Sequence, residues 1–215
     1  VVSVDLIEEE GVKELHINID FKRGSLKSGA VQLVGNYWHF KDFDVTGSIS
    51  GKDGINVAGK YNVLENLHTY MNGNTGIQIS RDGSDGRDLW PAYNTILNCT
   101  SYLNYDNGFE DADGFAAKLT VGEGNKFIGC VAAYNADDGW DLYAKTDSGS
   151  IGAVTIENSV AYKNGYLLGS YTVDASGAAT TKVFTGADAV QFSAGNGNGF
   201  KLGGSGISGH HVLRN

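Results

Sequence analysis

Short runs in which apolar and polar residues alternate, each closed by Gly, Asn or Asp, fill the chain from about residue 30 onward. One unit reads apolar-x-Asn with a Tyr four residues after the Asn. Leu64-Glu65-Asn66 leads to Tyr70, Ile96-Leu97-Asn98 to Tyr102, Ile128-Gly129-Cys130 to Tyr134, and Ile156-Glu157-Asn158 to Tyr162. Weaker copies are Phe40-Lys41-Asp42 and Leu213-Arg214-Asn215, so the Asn-type positions step by 24, 32, 32, 28 and 57 residues. A second signature, Gly then apolar then alternation, follows in most units. It occurs at Gly54-Ile55-Asn56-Val57, Gly76-Ile77-Gln78-Ile79, Gly114-Phe115-Ala116-Ala117, Gly139-Trp140-Asp141-Leu142 and Gly199-Phe200-Lys201-Leu202. Period-2 strands divided by turn residues and repeating once per coil predict an all-β, single-stranded solenoid, the right-handed parallel β-helix. A propeller needs about four strands in 40–45 residues, more than these units hold, and no sustained 3.6 period supports a helical solenoid. Asparagines recurring at one turn are expected to stack as an amide ladder. Residues 166–194 interrupt the spacing and predict a long loop insertion within one coil of a single domain covering 1–215.

Composition narrows the class. Gly is 31 and Pro only 1, a turn-rich β composition without the Pro load of a disordered linker. No apolar run approaches a membrane span, and no basic-plus-apolar leader opens the chain. The start at Val1-Val2, without Met, leads us to expect a portion of a longer helix. A net charge of −9 argues against a nucleic-acid partner. An acidic substrate would therefore need local cations. Cys99 and Cys130 differ by one position when aligned on the repeat, so they are expected to point to opposite faces and remain free thiols.

Stacking turns the second signature into a site. Equivalent positions on adjacent coils lie roughly 4.8 Å apart. In Gly-aromatic-x-apolar the position x faces outward, giving the column Gln78, Ala116, Asp141, Lys201. The residue before the Gly gives a second column, Thr75, Asp113, Asp138, Asn198. Asp113, Asp137, Asp138, Asp141 and Lys201 thus gather within about 10 Å on three coils. Crowded carboxylates repel unless a cation joins them, and oxygen-only ligation without His or Cys favours Ca²⁺ over zinc or copper. A lysine beside that cation is a plausible base. Asp-Gly is also an ordinary turn dipeptide, and Lys201 with Asp141 could be a simple cross-strand ion pair. Neither reading accounts for all four carboxylates together.

At these residues the chain resembles the polysaccharide lyase family nine pectate lyases. The resemblance is carried by Asn36-Tyr37-Trp38-His39-Phe40-Lys41, Asn74-Thr75-Gly76-Ile77-Gln78-Ile79-Ser80-Arg81, and the run from Asp113-Gly114-Phe115-Ala116-Ala117-Lys118 to Gly122-Glu123-Gly124-Asn125. Asp137-Asp138-Gly139-Trp140-Asp141-Leu142 and Gly197-Asn198-Gly199-Phe200-Lys201-Leu202-Gly203-Gly204 complete it. The resemblance implies β-elimination on uronate polysaccharides with Ca²⁺, with Asp113, Asp137, Asp138 and Asp141 as metal ligands and Lys201 as catalytic base. The chain departs from the family pattern in the 166–194 insertion and in stopping fourteen residues after Lys201. Polygalacturonate is the first expectation for the polymer, with rhamnogalacturonan or another uronate glycan as alternatives. Such a substrate implies a secreted protein, extracellular or periplasmic, acting as a monomer without nucleic-acid or membrane partners.

Lys118, Arg81 and Lys145 are candidates to meet substrate carboxylates, with Arg87 behind them; each is otherwise a solvated charge. Trp90 beside Pro91 is either an exposed sugar-stacking face or a loop anchor, and His210 and His211 are read as strand or capping residues. Two rivals are a β-helical glycoside hydrolase, which leaves Lys201 without a role, and a non-catalytic calcium-stabilised carbohydrate-binding solenoid.

Overall fold

The computed structural model describes residues 2–9, 12–19, 25–27, 30–168, 170–173, 179–183, 189–191, 195–207 and 209–215, with side chains for 30–166, 195–207 and 209–215. Three six-stranded sheets, parallel throughout, run the length of a solenoid. The first, here the site sheet, is built from Val31–Leu33, Ile55–Val57, Ile77–Ile79, Phe115–Ala117, Trp140–Asp141 and Phe200–Lys201. The second stacks His39–Lys41, Val63–Glu65, Thr95–Leu97, Asn125–Ile128, Val154–Glu157 and Val212–Arg214. The third stacks Ser25–Lys27, Asp44–Thr46, His68–Tyr70, Thr100–Tyr102, Val131–Ala133 and Val160–Tyr162. The expected parallel β-helix is therefore present, with three strands to a coil. Inward positions form apolar columns; Phe115, Trp140 and Phe200 stack at 4.9 and 4.8 Å between ring centres.

The apolar-x-Asn…Tyr unit is two strands, and the Asn between them is the corner. Asn66, Asn98 and Asn158 adopt φ of 54°, 52° and 48°, a left-handed conformation that Asn tolerates better than most residues. In the fourth coil Gly129 takes the corner (φ 65°), because Leu97 pairs with Ile128. The alignment through Cys130 is thus one residue out. Cys99 and Cys130 occupy the same inward column rather than opposite faces. Both thiols are free, as expected, and burial pushes Cys130 up to about 12 and Cys99 higher still.

The amide ladder also lies elsewhere. The corner asparagines are exposed. The stacked amides are Asn72, Asn104, Asn135 and Asn164, all buried, each donating from Nδ2 to the next Oδ1 at 3.0, 2.8 and 2.9 Å. A second ladder links Asn94 to Asn125, with the Asn62 N–H donating to Asn94 Oδ1. The first ladder explains the repeated glycine. A Cβ on Gly54, Gly76, Gly114 or Gly139 would come within 2.7 to 2.8 Å of Nδ2 of Asn72, Asn104, Asn135 or Asn164 respectively. Four of the six site strands therefore begin with a glycine because a buried amide packs against it.

Within the predicted insertion, Tyr166–Leu168 pairs antiparallel with Ala189–Gln191, and Ser170–Val173 with Ala179–Val183; the rest of 166–194 lies largely outside the described residues. Among the described residues no helix is long and apolar enough to cross a membrane.

Candidate active site

The two predicted columns are present in register. Gln78 pairs with Ala116, Ala116 with Asp141 and Asp141 with Lys201. The column extends further than the sequence reading took it, through Asn56 and Gln32. The column before the glycines likewise gains Asp53, ahead of Thr75, Asp113, Asp138 and Asn198.

Asp113, Asp138 and Asp141 are buried and each offers one carboxylate oxygen, all within 4.8 Å of one another. In Asp113 and Asp138 an oxygen also serves the backbone. The Asp138 N–H donates to Asp113 Oδ1 at 3.2 Å, and the Asn198 N–H and Nδ2 donate to Asp138 Oδ1 at 2.8 Å each. The Oδ1 atoms of Asp113 and Asp138 thus serve the turns, while the trio could still offer one oxygen each to a cation. Asp137 stands beside the trio, its Oδ1 taken by the Asn196 N–H at 2.6 Å. Burial pushes Asp137 up to about 6 against that hydrogen bond, and burial likewise raises Asp113 and Asp141.

Two ammonium groups face the trio. Lys201 Nζ lies 3.2 Å from Asp138 Oδ2 and 3.5 Å from Asp141 Oδ2, with the Tyr143 ring centre 5.4 Å away. Burial works against its charge, but Asp141 and Asp138 outweigh it and hold Lys201 above the ordinary lysine range. Lys118 Nζ lies 2.8 Å from Asp113 Oδ2 and 3.4 Å from Asp141 Oδ2. Its side chain is only 12% exposed, so it is no solvated surface charge. Arg81 and Lys145 are exposed in the loops after their site strands, and neither pairs with the trio, whose ion-pair partners among the described residues are Lys118 and Lys201. Arg87 is committed to Trp90, over whose ring it sits at 4.6 Å, and to Ser148 O and Ser150 O. Trp90, 5% exposed, is the packed loop anchor and not an open stacking face. His211 accepts the Val154 N–H at Nδ1, consistent with a strand-end role.

The donor set fits a hard divalent cation. It is all carboxylate, it is buried, Asp141 Oδ1 has no hydrogen-bond partner, and four aspartates outnumber two lysines. His and Cys, which would favour zinc or copper, are absent from the described cluster.

The sequence matches the profile described as "Pel9A-like, right handed beta helix region" over residues 6–215. This chain belongs to that family, polysaccharide lyase family nine. Pectate lyase L of Paenibacillus polymyxa (strain SC2) is 47% identical over 195 residues, which are 89% of this chain and 38% of that protein. Pectate lyase L of Thermoclostridium stercorarium is 43% identical over 211 residues, 98% of this chain and 15% of that protein. The crystal structure of pectate lyase Pel9A superimposes with a TM-score of 0.62 at 37% identity, covering 83% of this chain and 36% of that one. The chain therefore spans well under half the length of these family members, and the right-handed winding of the β-helix is the family's own.

Proposed function

We propose that this chain is the β-helical module of a calcium-dependent lyase that cleaves uronate polymers, polygalacturonate first, by β-elimination. One observation carries the reading: an amine, Lys201 Nζ, held 3.2 to 3.5 Å from two members of a buried aspartate trio on an outward sheet face. A hydrolase has no use for that amine, and the relatives are named as pectate lyases.

Asp113, Asp138 and Asp141, with Asp137 beside them, would hold the metal. Bound calcium would neutralise the uronate carboxylate and so ease loss of the weakly acidic C5 proton. Lys201 takes that proton. The C4–O bond breaks, its electrons leave with the oxygen, the C5–H pair becomes the C4–C5 double bond, and the departing oxygen is protonated by water. Without metal, Asp141 and Asp138 keep Lys201 charged at neutral pH, so the base role calls for alkaline conditions and for those carboxylates to be engaged elsewhere. The outward column continues along the sheet as Gln78, Asn56 and Gln32, amides suited to sugar hydroxyls. A polymeric substrate supports action outside the cell, and a monomer is the form proposed.

The test is ultraviolet absorbance of polygalacturonate with the protein at mildly alkaline pH, with calcium and then with chelator. A rise that chelator abolishes, and that Lys201→Ala lacks, is the expected result. A rise in Lys201→Ala equal to the native rise would refute the base assignment. No rise with calcium bound would refute polygalacturonate as substrate, and rhamnogalacturonan is then the next polymer.

A further inference from the structure

Lys118 has a position the lyase chemistry does not require. It lies just past the site strand Phe115–Ala117, two residues beyond Ala116, while Asp113 lies three residues before Ala116. Its ammonium reaches back over that strand to bond Asp113 Oδ2 at 2.8 Å, and it approaches Asp141 Oδ2 on the next coil at 3.4 Å. Ala116 faces outward yet is fully buried. The small side chain leaves room for the lysine stem to cross, and Gln78 or Asp141, its column neighbours, would not. The ammonium therefore sits against the carboxylates of two of the three aspartates that converge.

A divalent ion held by Asp113 and Asp141 and an ammonium bonded to the same oxygens repel strongly at such separations, and each wants the same lone pairs. We propose that Lys118 is a tethered competitor for the metal: it neutralises the aspartate trio when no metal is bound, and the arriving cation displaces it into the groove, where it takes a uronate carboxylate. This rests on the metal-site reading above. One lysine then does two things in sequence. It keeps the metal-free cluster from repelling itself apart, and it delivers a positive charge to the substrate only once the metal is in place. The lysine suits this because its four-carbon stem swings freely and its three donors need no fixed fork. The displacement also sets affinity. Calcium has to break charge-assisted bonds to enter, so the site binds it more weakly than the bare aspartates would.

The experiment uses the whole chain and calcium chloride. Calorimetry compares the native protein with Lys118→Met and, as a polar substitute, Lys118→Gln. Loss of the competing bonds should tighten calcium binding roughly tenfold to a hundredfold in both variants, the worth of one charge-assisted hydrogen bond. In parallel, acylation of lysines in the native protein is followed by peptide mass spectrometry, which needs no variant. Lys118 should be protected without metal, become reactive with saturating calcium, and be protected again by a galacturonate trimer but not by maltotriose; exposed Lys126 should not change. Equal or weaker calcium binding in both variants overturns the competition. Lys118 remaining protected while calorimetry shows calcium bound overturns the displacement, and no protection by the trimer overturns the carboxylate role. Absence of calcium binding in all three proteins overturns the metal reading itself, and this proposal with it.

Discussion

Replacing Asn135 by Ala should cost this protein more than any exposed substitution of the same kind. The Asn135 amide accepts from the Asn104 N–H at 3.2 Å and from Asn104 Nδ2 at 2.8 Å, and it donates to Ser101 O at 3.1 Å and Asn164 Oδ1 at 2.9 Å. All these residues are buried. Alanine leaves the Asn104 N–H and one amide hydrogen with no acceptor, in a place water does not reach. Each stranded donor costs about 1–3 kcal/mol, so the two together cost about 2–6 kcal/mol, part of it recovered if a water enters the gap. Asn98→Ala makes the comparison. That amide is exposed, and the loss is confined to the left-handed corner at φ 52°, worth about 1 kcal/mol. Denaturant unfolding of both variants, with unchanged slopes, gives the difference directly. Equal losses in the two variants, or a smaller one at Asn135, would show that the buried column is not what ties the coils together.

Three more outcomes follow from the site. Gly139→Ala puts a Cβ 2.5 Å from Gly199 O, the acceptor of the Trp140 N–H, so stability should fall by about 1–3 kcal/mol. Calcium affinity should fall with it, because Asp138 and Asp141 flank the displaced residue; native affinity would argue against the glycine as the site's anchor. Burial pushes Asp53 up to about 6, against the pull of Lys118 and Asn56. A raised carboxyl stabilises the fold below its ordinary value near 4, and that contribution is lost as pH rises through 6, at most about 3 kcal/mol. Asp53→Asn should therefore flatten the unfolding free energy of the metal-free protein between pH 4 and 7, and parallel profiles would remove Asp53 from the account. Asp138→Asn removes one of the three converging oxygens but keeps the acceptor for Asn198. Its melting temperature should no longer rise with calcium, where the native protein at a hundred times Kd gains about 2.7 kcal/mol.

How far the sequence discloses this molecule depends on depth. The site strands were legible because a glycine, an inward aromatic and strict alternation fix both face and height, and from these the pairing of Asp141 with Lys201 follows. The ladder was not. Asn98 and Asn104 are the same residue in the same coil, and the chain carries no mark that one lies on a corner and the other inside. Gly129 substitutes for Asn at the corner through shared backbone tolerance, which slid the alignment by one and put Cys130 on the wrong face. Sequence spacing offers Lys118 as a substrate contact or a solvated charge, and says nothing of a side chain doubling back across its own strand. Asp53 stands apart from the acidic cluster in its column, because Thr75 separates it from Asp113.

Asp113 and Asp138 are 25 residues apart and Asp138 and Asn198 are 60 apart, yet each pair makes the same contact, a carboxylate receiving the backbone N–H of the next coil. The contacts that join Asp113, Asp138 and Asn198 are vertical, although Lys118 and Asn196, from the chain between them, also reach the cluster. The exposed residues 145–147 are therefore open to lengthening or exchange, whereas Tyr143, whose ring lies beside Lys201 Nζ, and the buried Ala144 and Ile151 are not. On the proposed reading, variation in such loops can reshape which polymer fits while the stacked carboxylates and Lys201 stay fixed. An engineer seeking a new specificity has the same division of labour to work with: swap the loops, and leave the columns alone.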